Sequence, residues 1–102
     1  MQTRAIGPLE VSLVGLGCNN FGRRIDADAT ARVVHAALDA DITLFDTADV
    51  YGDGRSEELL GAALADRRDD ALIATKFGME LDAQRRGAHP DYVRSACEDS
   101  LR

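Results

Sequence analysis

The sequence of 102 residues has little positive charge. Its 12 Lys and Arg residues face 18 Asp and Glu residues, which gives a formal net charge of −6. Nucleic-acid binding depends on clustered cations, so this balance excludes a protein built to bind a polyanion. The arginine pairs at 23–24, 67–68 and 85–86 stand apart among acidic residues and are interpreted as solvated charge in loops and at helix ends.

Cysteine and long apolar runs are also scarce. Cys18 and Cys97 are the 2 cysteines, and no C-x-x-C is present, which excludes a disulfide framework and suits a reducing compartment. No Cys/His cluster has the spacing of metal ligands, so we expect no metal. No apolar run approaches the roughly 20 residues of a membrane span, and the N-terminus lacks the apolar core of a signal peptide. We therefore expect a cytoplasmic protein without a membrane partner.

What is present is a regular alternation of strand and helix patterns. Residues 3–12 alternate around the turn dipeptide Gly7-Pro8 and predict a β-hairpin. Three apolar runs then alternate with stripes at helical spacing, which predicts βα units and a parallel sheet. The predicted strands cover 13–17, 42–46 and 71–76, and the predicted helices cover 28–40, 56–65 and a segment that begins at Pro90. The pattern predicts one α/β domain over residues 1–102.

Local signals predict where the helices begin and end. Asp26 or Asp28 is expected to cap the first helix, and Ser56 is expected to cap the second. Pro90 suits the first position of the third helix. The first helix has Asp41 where glycine is usual after a helix end, so we expect either some backbone strain there or a different helix end.

Three polar residues follow predicted strands in a pattern that suggests chemistry. Asp46 ends the second apolar run, Lys76 ends the third, and Tyr51 lies in the loop after Asp46. Parallel neighbouring strands lie about 4.8 Å apart, so Asp46 and Lys76 could pair and Tyr51 could fold back onto the ammonium. An adjacent cation stabilises a phenolate, and such a phenol suits proton donation to a carbonyl oxygen. Taken singly, each residue would be an ordinary turn, packing or surface residue.

In these segments the sequence resembles the aldo-keto reductases, NADPH-dependent carbonyl reductases on a (β/α)8 TIM barrel. The resemblance rests on the order and spacing of GLGCNNFG at 15–22, FDTADVYGDGRSEELLG at 45–61 and ATKFG at 74–78. It implies an N-terminal β-hairpin plus three βα units of the barrel, hence a partial barrel. It also implies a small carbonyl substrate, with Tyr51 as proton donor, Lys76 as its cationic partner and Asp46 as the group that holds Lys76.

The resemblance further implies NADP(H) as the cofactor. Gly17, Asn19 and Asp46 lie on the rim that approaches the nicotinamide in this family and are the candidate cofactor-binding residues. The family's active-site histidine follows a fourth strand, and a closed barrel needs about 250 residues, so we expect the chain to be a piece of a longer enzyme and inactive alone. His89, in a loop at the predicted rim, is a weak candidate replacement and more simply a helix cap.

Two other interpretations stay open at this point. A Rossmann half would use Gly15-x-Gly17 as its glycine turn and Asp46 as its ribose-binding acid, but Asn20 stands at the third glycine position and Tyr51 and Lys76 would have no role. The second interpretation is a non-enzymatic piece, such as a cofactor-sensing subunit on the same fold. Unpaired strand edges would then favour self-association.

Overall fold

The computed structural model describes residues 1–102 and contains five strands and three α-helices. In chain order they are β1 Thr3–Ile6, β2 Leu9–Ser12, β3 Gly15–Gly17, α1 Ala27–Asp39, β4 Leu44–Asp46, α2 Arg55–Ala63, β5 Leu72–Ala74 and α3 Pro90–Ser100. Short 3-10 turns cover Tyr51–Gly54 and Arg68–Asp70. The longest helix, α1, has 13 residues, and none of the helices has the length and apolar character needed to cross a bilayer.

The strands form two separate sheets. β1 and β2 pair antiparallel as the predicted hairpin, and β3, β4 and β5 form a parallel sheet in that spatial order. The register places Gly17, Asp46 and Ala74 side by side at the C-terminal end of the parallel sheet. Three strands do not close on themselves. The α/β prediction is therefore confirmed, and the open sheet is the partial, unclosed arrangement expected of three βα units.

Helices α1 and α2 cover one face of the parallel sheet. The central side chain of that face, Phe45, is completely buried, and its neighbours in the register, Leu16 and Ile73, pack against the same cluster. The buried cluster includes Val34, Ala37 and Leu38 of α1 and Leu60, Ala63 and Leu64 of α2. Side chains alternate between the faces of a strand, so Leu44, Leu72 and Asp46 lie on the opposite face, which carries no helix.

The observed strands are shorter than the apolar runs predicted. At the N-terminal end of β4, Ser12 N donates to Thr43 Oγ1 at 3.0 Å, and Thr43 N donates to Ser12 Oγ at 2.9 Å. These side-chain bonds replace regular pairing and tie the hairpin to the sheet. At the other end, Asp49 N still donates to the carbonyl of Lys76 at 3.1 Å, although the chain has left the regular strand.

Most helix ends agree with the local signals. Asp26 caps α1 by accepting from Ala29 N at 2.9 Å, whereas Asp28 lies in the first turn. Pro90 opens α3. Asp41 follows α1 with φ of 64°, the left-handed conformation that its position requires.

The predicted cap of α2 is wrong. This helix begins at Arg55 after Gly54, whose φ of 92° is left-handed, and Ser56 lies within the first turn. The Ser56 side chain is completely buried and does not cap the helix. The reason is that the glycine-rich turn before α2 starts the helix one residue earlier and rotates Ser56 towards the interior.

Candidate active site

Lys76 lies at the C-terminal end of the parallel sheet, where two oxygen atoms hold its ammonium. Its Nζ donates to Asp46 Oδ1 at 2.6 Å and to the carbonyl oxygen of Thr47 at 2.9 Å. Asp46 ends β4 and Lys76 follows β5, so the parallel register brings both to the same place. The side chains of Lys76 and Asp46 are 50% and 51% exposed, which leaves them open to a ligand on the face without helices. Lys76 is also the only lysine of the sequence.

Tyr51 completes the group of three predicted catalytic residues. Its ring centroid lies 5.2 Å from Lys76 Nζ. An ammonium has three N–H donors. Asp46 and Thr47 occupy two of them, so the third remains available to the phenol of Tyr51. The pKa of Lys76 is raised above its ordinary value, first by the hydrogen bond to Asp46, then by the charge of Asp46, and to a lesser extent by Tyr51, while partial desolvation opposes the shift. The ammonium is therefore the stable form beside this phenol.

A tight backbone turn places Tyr51 over the lysine. Gly52, Asp53 and Gly54 follow it with φ values of 59°, 54° and 92°, all left-handed. Asp is one of the few residues with a side chain that tolerates this region. The start of α2, directly after this turn, lies close against the loop after β3, since a Cβ on Gly22 would overlap the Cβ of Arg55. Glycine is required at position 22 for this close approach.

A buried hydrogen-bond network lies beneath the three residues. The Thr47 and Ser56 hydroxyl oxygens are 2.8 Å apart, and Ser56 Oγ donates to the carbonyl oxygen of Cys18 at 2.7 Å. Thr47, Ser56 and Cys18 are each at most 1% exposed. Burial raises the pKa of Cys18 to about 11, with the charge of Asp46 adding to the shift, so the thiol stays protonated and unreactive near neutral pH.

The candidate cofactor residues lie beside this group on the rim. Gly17 pairs with Asp46 in the sheet register, and Asn19 is exposed with its Oδ1 3.8 Å from the place a Cβ would occupy on Gly17. These positions offer an uncrowded surface, an amide and a carboxylate. Such donors and acceptors fit the amide-bearing nicotinamide end of a dinucleotide.

Other candidate residues lie outside this group. His89 caps α3, where its Nδ1 accepts from Asp91 N at 3.2 Å. The second histidine, His35, donates from Nε2 to the carbonyl oxygen of Ala63 at 2.9 Å and joins α1 to α2. The pKa of Asp49 is raised, first by burial and then by the charge of Glu57.

The sequence is similar to those of known proteins. The sequence model of the Aldo/keto reductase family matches residues 13–102. This chain belongs to that family. A curated relative, "Uncharacterized oxidoreductase YqkF" of Bacillus subtilis (strain 168), is 36% identical over 99% of this chain and 34% of its own length.

Solved aldo-keto reductases share the fold. The holo form of aldo-keto reductase AKR11C1 from Bacillus halodurans matches with a TM-score of 0.86 at 34% identity, over 99% of this chain and 35% of that one. A Pseudomonas aeruginosa structure described under the same family name matches with a TM-score of 0.85 at 38% identity, over 97% of this chain and 40% of that one. The chain thus spans about a third of the length of the curated relative it matches.

The family match decides against the Rossmann interpretation, and so does the structure. Gly15 and Gly17 lie within β3 and not in a turn that enters a helix. Helix α1 begins only at Ala27, so its N-terminus does not follow the glycines directly, as pyrophosphate binding at a Rossmann turn requires.

Sequence reasoning missed Thr47 and the role of Ser56. Strand alternation could have revealed Thr47, because it follows Asp46 and must face the opposite, buried side. No local signal identifies Ser56, whose partner Cys18 lies 38 residues away along the chain.

Proposed function

We propose that residues 1–102 supply the first βα units of an NADPH-dependent aldo-keto reductase domain that reduces an aldehyde or ketone to an alcohol. The observation that carries this proposal is the convergence of Asp46, Tyr51 and Lys76 at one end of the parallel sheet. The family match over residues 13–102 supports it independently.

In the proposed reaction, a bound NADPH would supply the hydride for the carbonyl carbon. Tyr51 donates its phenolic proton to the carbonyl oxygen, so the product is the alcohol and a phenolate remains on the protein. The ammonium of Lys76 stabilises that phenolate by its charge. Asp46 and the Thr47 carbonyl keep the ammonium in place through bonds of 2.6 and 2.9 Å.

Gly17, Asn19 and Asp46 are the residues that we propose hold the nicotinamide end of the cofactor. The free space at Gly17 admits a flat ring close to the backbone, and the Asn19 amide offers both a donor and an acceptor. None of these three residues is cationic, so the phosphates of NADPH need partners elsewhere in the protein. The carbonyl substrate is expected to approach from the open face, beside Tyr51.

The test is Tyr51→Phe in the natural gene product that carries this chain. Because only the phenolic oxygen is removed, we expect NADPH-dependent reduction of a simple aldehyde to fall by about 10²-fold or more, as for loss of a general acid. NADPH binding, followed by the change in its fluorescence, is expected to stay near the parental value. Equal losses of binding and rate would make Tyr51 a binding residue instead.

The same experiment separates the enzyme from a non-enzymatic subunit. A cofactor-sensing protein would bind NADPH, show no aldehyde reduction before mutation and be indifferent to Tyr51→Phe. Parental turnover followed by its loss in the variant supports only the reductase.

A further inference from the structure

The Ser56 hydroxyl lies fully buried between three segments of the candidate site. It donates to the Cys18 carbonyl at 2.7 Å and lies 2.8 Å from Thr47 Oγ1. A serine hydroxyl has one proton, so its use on Cys18 obliges Thr47 to donate to Ser56. The direction of the network is therefore fixed: Thr47 donates to Ser56, and Ser56 donates to Cys18.

Thr47 uses each of its polar groups to hold the site together. Its backbone N–H donates to the carbonyl of Ala74 at 2.8 Å, and its own carbonyl accepts from Lys76 Nζ at 2.9 Å. Its hydroxyl is committed to Ser56. The position of one of the two acceptors of Lys76 thus depends on the Ser56 contact.

Cys18 is fixed in the same manner from two sides. Its N–H donates to the backbone carbonyl of Asp46 at 2.9 Å, and its carbonyl receives the Ser56 proton. The rim loop that carries Asn19 starts at this point. Ser56 itself belongs to the first turn of α2, directly after the turn that presents Tyr51. One hydroxyl therefore aligns the rim loop, the end of β4 and the Tyr51 turn.

We propose that Ser56 is a positioning residue of the candidate active site. Through its contact with the Thr47 hydroxyl it holds the Thr47 carbonyl in place, and that carbonyl directs the Lys76 ammonium towards Asp46 and Tyr51. The catalytic meaning of this role rests on the proposed function. The positioning itself is a property of the folded chain and can be measured without cofactor or substrate.

The single lysine makes a direct test possible. Lys76 is the one lysine of residues 1–102, and mass spectrometry of peptides separates its reaction with trinitrobenzenesulfonate from reaction at any other amine or thiol of the protein. The rate of Lys76 modification is measured at constant pH on the natural protein and on variants whose circular dichroism shows the parental fold. Ser56→Ala removes the central hydroxyl, and Thr47→Val removes the donor while keeping the side-chain volume.

Two matched controls accompany these variants. Thr30→Val changes another completely buried threonine, whose Oγ1 has no hydrogen-bond partner, so it loses no hydrogen bond. Thr47→Ser keeps the hydroxyl and removes only a methyl group. We expect several-fold faster modification of Lys76 in Ser56→Ala and Thr47→Val, and the parental rate in both controls.

Parental rates of Lys76 modification in folded Ser56→Ala and Thr47→Val would overturn the proposal. If Ser56→Ala does not fold, Thr47→Val decides alone. A general loosening of the core would also overturn it and would be seen as faster modification in Thr30→Val. Since the reagent needs neither NADPH nor a carbonyl compound, a negative result in the Tyr51→Phe experiment leaves this measurement unaffected, and the reverse also holds.

Discussion

At the scale of single residues, the ion pair of Lys76 and Asp46 combines a short bond with wide exposure to solvent. The bond is 2.6 Å long, yet half of each side chain is exposed. Exposed ion pairs contribute about 0–1 kcal/mol to stability, because water screens the charges and ordering two side chains costs entropy. The pair therefore matters more for where it holds a positive charge than for the stability of the fold.

Replacing Lys76 by Met should reveal this small contribution and its pH dependence. The pKa of Lys76 is raised in the folded chain by its bond to Asp46, so its stabilising effect is present below the unfolded pKa and is lost as pH rises through the folded value. We expect Lys76→Met to lower the free energy of unfolding by less than about 1 kcal/mol near neutral pH. The difference should disappear in strongly alkaline solution.

Urea unfolding at a series of pH values checks this expectation. If the two proteins differ in free energy of unfolding by the same amount below and above the pH range in which Lys76 titrates, packing of the lysine stem, and not its charge, is responsible. In the natural gene product the same variant should lose aldehyde reduction, since the phenolate of Tyr51 would have no cation beside it.

The sequence predicted these residues because their placement follows from strand ends alone. Asp46 and Lys76 each terminate an apolar run, and neighbouring parallel strands end together. The Thr47–Ser56 contact could not be predicted in the same way, because it depends on where α2 lies relative to β4 and on a carbonyl contributed by Cys18.

At the scale of elements, the Tyr51 turn and the loop after β3 can pack closely only because Gly22 has no side chain. This glycine has φ of 75°, and a Cβ would overlap the Cβ of Arg55, next to the backbone of α2. The first residue of α2 cannot move aside without moving the turn that precedes it.

We expect Gly22→Ala to displace the Tyr51 turn and to destabilise the fold. The left-handed backbone alone costs about 1–2 kcal/mol for alanine, and forced overlap in a packed region adds about 1–3 kcal/mol. Gly7→Ala is the matched control, because Gly7 has φ of 56° but nothing within 4 Å of a built Cβ. Urea unfolding of both variants separates backbone strain from overlap. Equal losses of stability would show that the contact with Arg55 yields at no cost.

Local chemistry predicted the elements well wherever the deciding atoms are close in sequence. The cap at Asp26, the proline at the start of α3 and the left-handed Asp41 each depend on only a few neighbouring residues. The predicted start of α2 was wrong because Ser56 has the residue type of a helix cap. The three left-handed residues that precede the helix determine where it begins. Strand lengths were overestimated because apolar character continues beyond the residues that pair.

At the scale of the whole molecule, the chain exposes more surface than its size requires. Its accessible surface is 6760 Å², whereas a compact monomer of 11.0 kDa exposes about 5,600 Å². Part of the excess lies on the sheet face that carries no helix. Leu44 and Leu72 pair side by side there and are only partly buried.

We expect the 102-residue chain, produced alone, to self-associate in a concentration-dependent manner, because the outer edges of β3 and β5 are unpaired and the sheet face beside them is partly apolar. Sedimentation velocity over a wide concentration range measures this. Leu72→Gln, on the open face, should weaken association. Leu101→Gln is the control, because Leu101 is 81% exposed after the end of α3 and outside the sheet. A monomer at all concentrations would contradict the expectation, and so would an equal effect of the two variants.

The strands of the parallel sheet lie side by side in the same order as they occur along the chain, and this affects how the sheet forms during synthesis on the ribosome. Chains emerge N-terminus first at about 5–20 residues per second. Each strand of this sheet pairs with the strand made one βα unit earlier, so a partner is already available when the new strand appears. The hairpin is made first and can bind the start of β4 through Ser12 and Thr43 as soon as that segment emerges. Lys76 is thus the last residue of the Asp46–Tyr51–Lys76 group to leave the ribosome, and it follows directly after Ala74, whose carbonyl accepts from Thr47 N and so helps to place the second acceptor of the ammonium.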